Sequence, residues 1–291
     1  MPIEFHKMHG AGNDFVLLDF RQSDQQLDAP MATRLSDRRL GVGCDQILIL
    51  DSSDKENCAA RYRIFNSDGS SAGQCGNGVR CIALYLLQSG EFGQAGRSDD
   101  DPVGSPLRLE GPSGIVQVTG CEDGEFECAM GEPRFGPNDI PVDMSCTTAE
   151  QSGDRLVLDV EQSRVEVTAV SMGNPHAVML VEDSESVPVE DLGPKISAHP
   201  AFPNRCNAGF AEIIDSENIR LRVFERGAGE TLACGSGACA AVAALNRQNL
   251  VSGKVNVFLR GGHLVIKWSG PGSQVMMKGP AQHVFRGTLD E

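Results

Sequence analysis

Two cysteines in this chain sit in matched surroundings. Gln74-Cys75-Gly76-Asn77-Gly78-Val79-Arg80-Cys81 and Ala233-Cys234-Gly235-Ser236-Gly237-Ala238-Cys239 each place a thiol before Gly-x-Gly and a run of helix-forming, mostly apolar residues. Glycine at a helix start lets the backbone approach a ligand closely. The N–H groups and the dipole at that end favour an anion and lower a thiol's pKa. A lone cysteine in such a place reads as packing, because cysteine is among the most buried residue types. Cys44, Cys58, Cys81, Cys121, Cys128, Cys146, Cys206 and Cys239 are read that way. The repeated Gly-x-Gly context separates Cys75 and Cys234 from them.

The repeat extends beyond the thiols. Gly12-Asn13 matches Gly173-Asn174, and Arg63-Ile64-Phe65-Asn66 matches Arg222-Val223-Phe224-Glu225, at nearly the offset that separates the two cysteines. Accidental recurrence of small-residue motifs is the competing explanation, and the shared spacing argues against it. If the two copies face each other, one thiolate removes a proton from a carbon acid and the opposite thiol delivers one to the other face. The amides of Gly76, Asn77, Gly235 and Ser236 are then the expected cradle for the substrate's carboxylate, stabilising the charge that develops on it. A reversible redox dithiol uses the same pair, and spacing does not separate the two readings. A non-catalytic amino-acid binding module is the third.

The elements that must position these groups follow from pattern. Strands are expected at Ile3–Met8, Phe15–Phe20, Gln46–Leu50, Ala60–Phe65, Leu107–Leu109, Gly114–Thr119 and Glu125–Met130. A second set is expected at Val165–Val170, Ala177–Val181, Gly209–Ile214, Ile219–Phe224, Lys254–Leu259, His263–Trp268 and Gln274–Met277. Pro30–Arg39 reads as a short helix, and Ser186–His199 as a helical piece broken by Pro188 and Pro194. Gly78–Gln88 and Gly237–Arg247 read as helices apolar nearly all round, hence buried within strands. Ser89–Ser105 reads as an exposed loop with a solvated acidic run, and Gly131–Pro141 as a domain crossing. The expectation is a mixed α+β (α/β) fold of two pseudo-symmetric domains, each a strand-rich, barrel-like layer around a buried central helix. Residues 1–131 form the first, with Cys75, and 132–278 the second, with Cys234. Gln282–Leu289, within 279–291, is a candidate last strand returning to the first.

Composition excludes several classes. A chain of 291 residues with 40% hydrophobic content can build two cores. Its 40 acidic and 25 basic residues give a net charge of −15, with no Lys/Arg cluster, so no nucleic-acid partner is expected. No apolar run is long enough to span a membrane, and Met1–Gly10 lacks the apolar core of a secretory signal. Ten cysteines without such a signal point to a reducing, cytoplasmic setting. None forms a C-x-x-C pair and the histidines bracket no cysteine pair, so no metal is expected.

Asn13, Asn66, Asn77, Asn174 and Asn207 lie in or beside Gly-containing turns, where turn chemistry alone would explain them. His176 follows Asn174-Pro175, and Glu225-Arg226 leads toward Cys234. At these residues the chain resembles the diaminopimelate epimerases. The resembling stretches are His9–Phe15, Asn66–Ser70, Gln74–Cys81, Gly173–His176, Phe202–Asn207 and the run Glu225-Arg226-Gly227-Ala228-Gly229-Glu230-Thr231-Leu232-Ala233-Cys234-Gly235-Ser236-Gly237. The last is the most specific, and the proline racemase type does not carry it in this form. The chain departs in Ala208-Gly209 after Asn207, where a bulkier residue and an acid are usual, and in a longer Gly90–Pro106 segment.

The resemblance implies interconversion of LL- and meso-diaminopimelate, on the route to lysine and the peptidoglycan cross-link, by a homodimer using neither pyridoxal phosphate nor metal. It implies that Cys75 and Cys234 are the acid–base pair, with His176 and Glu225 assisting. It implies substrate binding by Asn13, Gln46, Asn66, Asn174, Asn207, Glu225 and Arg226. Gly76-Asn77 and Gly235-Ser236 would then cradle the reacting carboxylate.

Overall fold

The chain opens with two strands whose turn needs a left-handed backbone. β1 (Ile3–Gly10) reverses at Ala11-Gly12, with φ of 53° and 87°, into antiparallel β2 (Asn13–Asp19). Glycine adopts such a φ without steric cost, which explains Gly12. This is a computed structural model, and it describes residues 2–73, 75–91, 106–136, 139–149, 155–161 and 163–289. Gln74 and most of the expected loop Ser89–Ser105 therefore lie outside the described residues, as do Pro137 and Asn138 of the Gly131–Pro141 segment.

The first compact unit comprises Met1–Ala129 and Lys278–Glu291. α1 (Ala29–Ser36) starts on Asp28, whose side chain accepts from the Met31 amide, with Pro30 in the first turn. It stops before the expected Arg39 because Asp37 is already extended, at ψ 122°. β3 (Gln46–Asp51) runs parallel to β2, and its four central residues, Ile47–Leu50, are all buried, as a strand covered on both faces requires. β4 (Ala60–Asn66) and β5 (Ser71–Ala72) add antiparallel pairings. α2 (Gly76–Gln88) follows, then the meander β6 (Leu107–Gly111), β7 (Gly114–Gly120) and β8 (Phe126–Ala129).

The second unit is Met130–Met277. A single 3₁₀ turn at Met144–Cys146 precedes β9 (Thr148–Ala149), β10 (Arg155–Val160), β11 (Ser163–Ser171) and β12 (Pro175–Val181). α3 (Val189–Ser197) leads to β13 (Asn207–Asp215), β14 (Asn218–Glu225) and β15 (Gly229–Thr231). α4 (Gly235–Arg247), β16 (Lys254–Leu259) and β17 (Gly262–Lys267) follow. The chain continues as β18 (Met276–Gly279) and ends in β19 (Gln282–Leu289), which pairs antiparallel with β1.

The fold is mixed α+β, dominated by strands, with four α-helices among the described residues. One pairing order occurs in both units. β2 and β3 are parallel, β3 and β4 antiparallel, and β4 and β5 antiparallel, leading into α2. Likewise β12 and β13 are parallel, β13 and β14 antiparallel, and β14 and β15 antiparallel, leading into α4. Each of these helices is sheathed by strands: α2 packs on β1, β2, β7, β8 and β19, and α4 on β11, β12, β13, β14 and β17. Ala238, Ala240, Ala241, Ala243 and Ala244 keep α4 thin enough for that enclosure, and all five are fully buried.

Other details also differ from the pattern reading. Both central helices begin two residues early, at Gly76 and Gly235, so the cysteines are their N-caps. α3 runs through Pro194, which removes one amide donor near the end of a nine-residue helix and does not break it. β10 was not expected, although Leu156, Leu158 and Val160 alternate inward along it.

Candidate active site: two cysteine turns

The first turn gathers residues from three adjacent strand ends. Asn13 starts β2, Gln46 starts β3 directly across from Phe15, and Asn66 ends β4 directly across from Gln46. Gln46 Nε2 donates to Asn66 Oδ1 at 3.0 Å, and Asn66 Nδ2 donates to Ser70 Oγ at 3.0 Å. Cys75, half-buried, caps α2 with an extended backbone at φ −129° and ψ 108°. Its carbonyl accepts from Val79 at 3.0 Å, the first bond of the helix, so the amides of Gly76, Asn77 and Gly78 lie at its open N-terminal end. The Cys75 thiol donates to Asn13 Oδ1 at 3.8 Å, and Asn77 Nδ2 donates to the same oxygen at 3.2 Å.

The second turn repeats the backbone. Cys234 caps α4 at φ −117° and ψ 107°, and its carbonyl accepts from Ala238 at 2.9 Å. Its side-chain partners are different. The Cys234 thiol donates to Glu225 Oε2 at 3.1 Å, and Ser236 Oγ lies 3.7 Å from the sulfur. Thr231 Oγ1 donates to the other oxygen of Glu225 at 2.5 Å. Burial pushes the Cys234 thiol well above its ordinary pKa, the negative charge of Glu225 adds to that, and the Gly237 amide and Ser236 hydroxyl oppose it weakly. Cys234 therefore rests as a thiol hydrogen-bonded to a carboxylate.

His176, Asn174, Asn207 and Arg226 form a polar group in the same unit. His176 on β12 is directly across from Asn207 on β13, and Asn207 Oδ1 accepts from the Arg226 amide at 2.8 Å. His176 Nε2 lies 3.1 Å from Asn174 Oδ1 and 3.5 Å from Asn207 Nδ2. Burial, and then the nearby Arg226 charge, lowers the His176 pKa to about 3, so its imidazole is neutral. The Arg226 side chain is exposed and donates to Asn204 O at 3.0 Å. Among the described residues no group of three or more His, Cys, Asp or Glu is placed to hold a metal ion, and no helix is long and apolar enough to cross a membrane.

Three partners of these residues were not singled out from sequence. Asp45 takes Asn13 Nδ2 at 2.9 Å, Arg80 donates to Asn77 Oδ1 at 2.8 Å, and Thr231 holds Glu225. Asp45 adjoins Gln46 and Thr231 lies inside the most specific run, so adjacency was the available signal. Arg80, on an apolar helix, carried the signal of a charge placed to be buried.

Comparison with known proteins gives a consistent answer. The family model described as diaminopimelate epimerase matches residues 5–136 and 168–284. A protein of that name from Pseudomonas savastanoi pv. phaseolicola is 43% identical over 289 residues, covering 99% of both chains. Another, from Xanthomonas campestris pv. campestris, is 45% identical over 289 residues, covering 99% of this chain and 97% of the relative. Among solved structures the fold is shared with a hydroxyproline epimerase from Agrobacterium vitis, at a TM-score of 0.69 and 13% identity over 99% of this chain and 92% of the other. A PhzF-family phenazine biosynthesis protein from Bacillus anthracis has a TM-score of 0.67 and 15% identity, covering 100% of each chain.

Proposed function

The chain belongs to the diaminopimelate epimerase family, and from that premise we propose that it interconverts LL- and meso-2,6-diaminopimelate, with Cys75 and Cys234 as the acid–base pair. One thiolate takes the Cα proton. The bonding electron pair stays on the carbon and spreads into its carboxylate. The other thiol gives its proton to the opposite face and becomes the thiolate, so the two sulfurs exchange states in each turnover. The chemistry is carried by these two side chains, without pyridoxal phosphate or metal.

The observation that carries this reading is the placement of a hydrogen-bonded thiol at the N-cap of each strand-sheathed helix. Helix N-termini supply donors for the reacting carboxylate, here from Gly76, Asn77, Gly235 and Ser236. Glu225, 3.1 Å from Cys234, is the group that can take the thiol proton when Cys234 must act as base. His176 serves as a neutral partner that orders Asn174 and Asn207. Asn13, Gln46, Asn66, Asn174, Asn207 and Arg226 then bind the substrate, with the Arg226 guanidinium taking a distal carboxylate as a two-pronged donor. A cytoplasmic homodimer is part of the same proposal.

The test is proton exchange in D₂O, followed by NMR, with diaminopimelate and no added cofactor. We expect deuterium at Cα of both stereoisomers. Binding without exchange would reduce the protein to an amino-acid binding module. Thiol oxidation cycling without exchange would make it a redox protein.

A further inference from the structure

Arg80 is fully buried in α2, and among the described residues no carboxylate pairs with it. Its Nε donates to Pro280 O at 3.2 Å and its Nη2 to Asn77 Oδ1 at 2.8 Å. Enclosing a guanidinium without a counter-charge is costly, so its neighbours must be arranged around it. Asn77 and Asn13 are likewise buried, at 1% and 8% exposure.

The hydrogen bonds form a chain with a direction. Arginine only donates, so Asn77 must turn its oxygen to Arg80 and its NH₂ away. That NH₂ meets Asn13 at 3.2 Å, so Asn13 must present its oxygen there and send its own NH₂ to Asp45 Oδ2 at 2.9 Å. An ionised carboxylate only accepts, so the far end agrees with the near end. Asp45 is held in turn by Arg38 Nη2 at 2.8 Å and by the Asp14 amide at 3.1 Å. The orientation of an amide is decided by its partners, and here a donor-only group and an acceptor-only group close the chain at its two ends. Turning both amides over would set donor against donor at Arg80 and acceptor against acceptor at Asp45. The same Asn13 oxygen faces the Cys75 sulfur at 3.8 Å. An oxygen there supports S–H and opposes S⁻, whereas an NH₂ would do the reverse.

We propose that Arg80 is a positioning residue for Cys75: through Asn77 it fixes the Asn13 amide with its oxygen toward the sulfur, and so favours the protonated form of the Cys75 thiol. Asp45 secures the same order from the other end. The assignment of Cys75 as a proton-transfer group rests on the function proposed above.

Neutron diffraction from crystals of the deuterated wild-type protein reads the order directly. We expect the Asn13 Nδ2 deuterons to point at Asp45 and away from the Cys75 sulfur; deuterons directed at the sulfur overturn the proposal. Variants give the second reading, from peptide-resolved alkylation of Cys75 against pH, with Cys234 as internal control and thermal unfolding as a check on folding. Arg80→Lys keeps a donor-only cation and should leave the Cys75 midpoint near wild type. Asp45→Asn alone should move it little, because Arg80 still sets the order. Combined with Arg80→Gln, Asp45→Asn should lower the midpoint more than it does in the wild-type background, raising alkylation at neutral pH by roughly threefold or more over Arg80→Gln alone. Additive effects, or Lys and Gln behaving alike at position 80, would leave Arg80 a packing residue only. If Arg80→Gln does not fold, the neutron result still decides. Neither measurement needs diaminopimelate, so absence of Cα exchange would overturn the functional reading without touching the assignment of Arg80.

Discussion

At the Cys75 turn the sulfur meets a neutral amide oxygen at 3.8 Å; at the Cys234 turn it meets a carboxylate oxygen at 3.1 Å. The backbones differ by 12° in φ and 1° in ψ at the two cysteines, from −129° and 108° to −117° and 107°. The strands leading into the turns pair in the same order. Asn66 ends β4 and Glu225 ends β14, so equivalent places in the two pairings hold an amide in one unit and an acid in the other. The repeated part supplies a helix start with amides for an anion. The divergent part supplies the acceptor that each thiol meets, an amide oxygen at Cys75 and a carboxylate oxygen at Cys234.

Four experiments press on that comparison. The largest effect is expected from the thiols themselves. Cys75→Ala and Cys234→Ala should each lower epimerisation by about 10²–10⁴-fold, the range for loss of a general acid or base. Wild-type turnover from both single variants would end the two-thiol reading. Glu225→Gln should separate the turns next. Because the Glu225 charge raises the Cys234 pKa, its removal should lower the alkylation midpoint of Cys234, leave that of Cys75 in place, and slow turnover on the order of tenfold or more.

His176 offers a smaller, pH-dependent difference confined to the second unit. Its folded-state pKa lies near 3, below the ordinary 6.5, so the unfolded chain binds the extra proton between these values. The neutral histidine's contribution is complete above pH 6.5 and is lost as pH falls toward 3. Chemical denaturation of wild type against His176→Asn, at pH 7.5 and pH 5, should show about 2 kcal/mol more acid destabilisation in the wild type. Parallel pH dependence would mean the imidazole is already protonated in the fold. The smallest contrast comes from the paired glycines. A Cβ at Gly78 would lie 2.8 Å from Leu48 Cδ2, and one at Gly237 would lie 3.0 Å from Val223 Cγ2 and 3.3 Å from the Cys234 sulfur. Gly78→Ala should cost about 1 kcal/mol in stability with turnover little changed, whereas Gly237→Ala should also slow turnover several-fold by shifting the thiol. Equal kinetic effects would deny the difference.

Much of this was legible because local chemistry and fold agree. Gly-x-Gly before an apolar run marks a buried helix start, and α2 and α4 lie there. Glycine reads as a helix breaker, which puts each expected start two residues late, yet at the first turn its amide is useful and its missing side chain leaves room. Pro194 misled for a related reason: near a helix end the lost donor matters little. Partners distant in sequence were not legible. Asn13 reaches Asp45 and Asn77 only because β2, β3 and α2 are brought together, and no spacing in the chain announces it. The acid beside Cys234 was visible as Glu225, but Thr231, which holds it, reads as an ordinary β-branched strand residue.

The enclosure of α4 has a consequence for how the protein is made. The strands that sheathe it span residues 163–267, on both sides of the helix in sequence. Contacts of such long range form late in folding. During synthesis α4 emerges before β17, so the helix that Cys234 caps is fully sheathed only once that strand has emerged and docked. The burial of Cys234 and its bond to Glu225 are thus features of the completed second unit, set by strands on both sides of the helix in sequence.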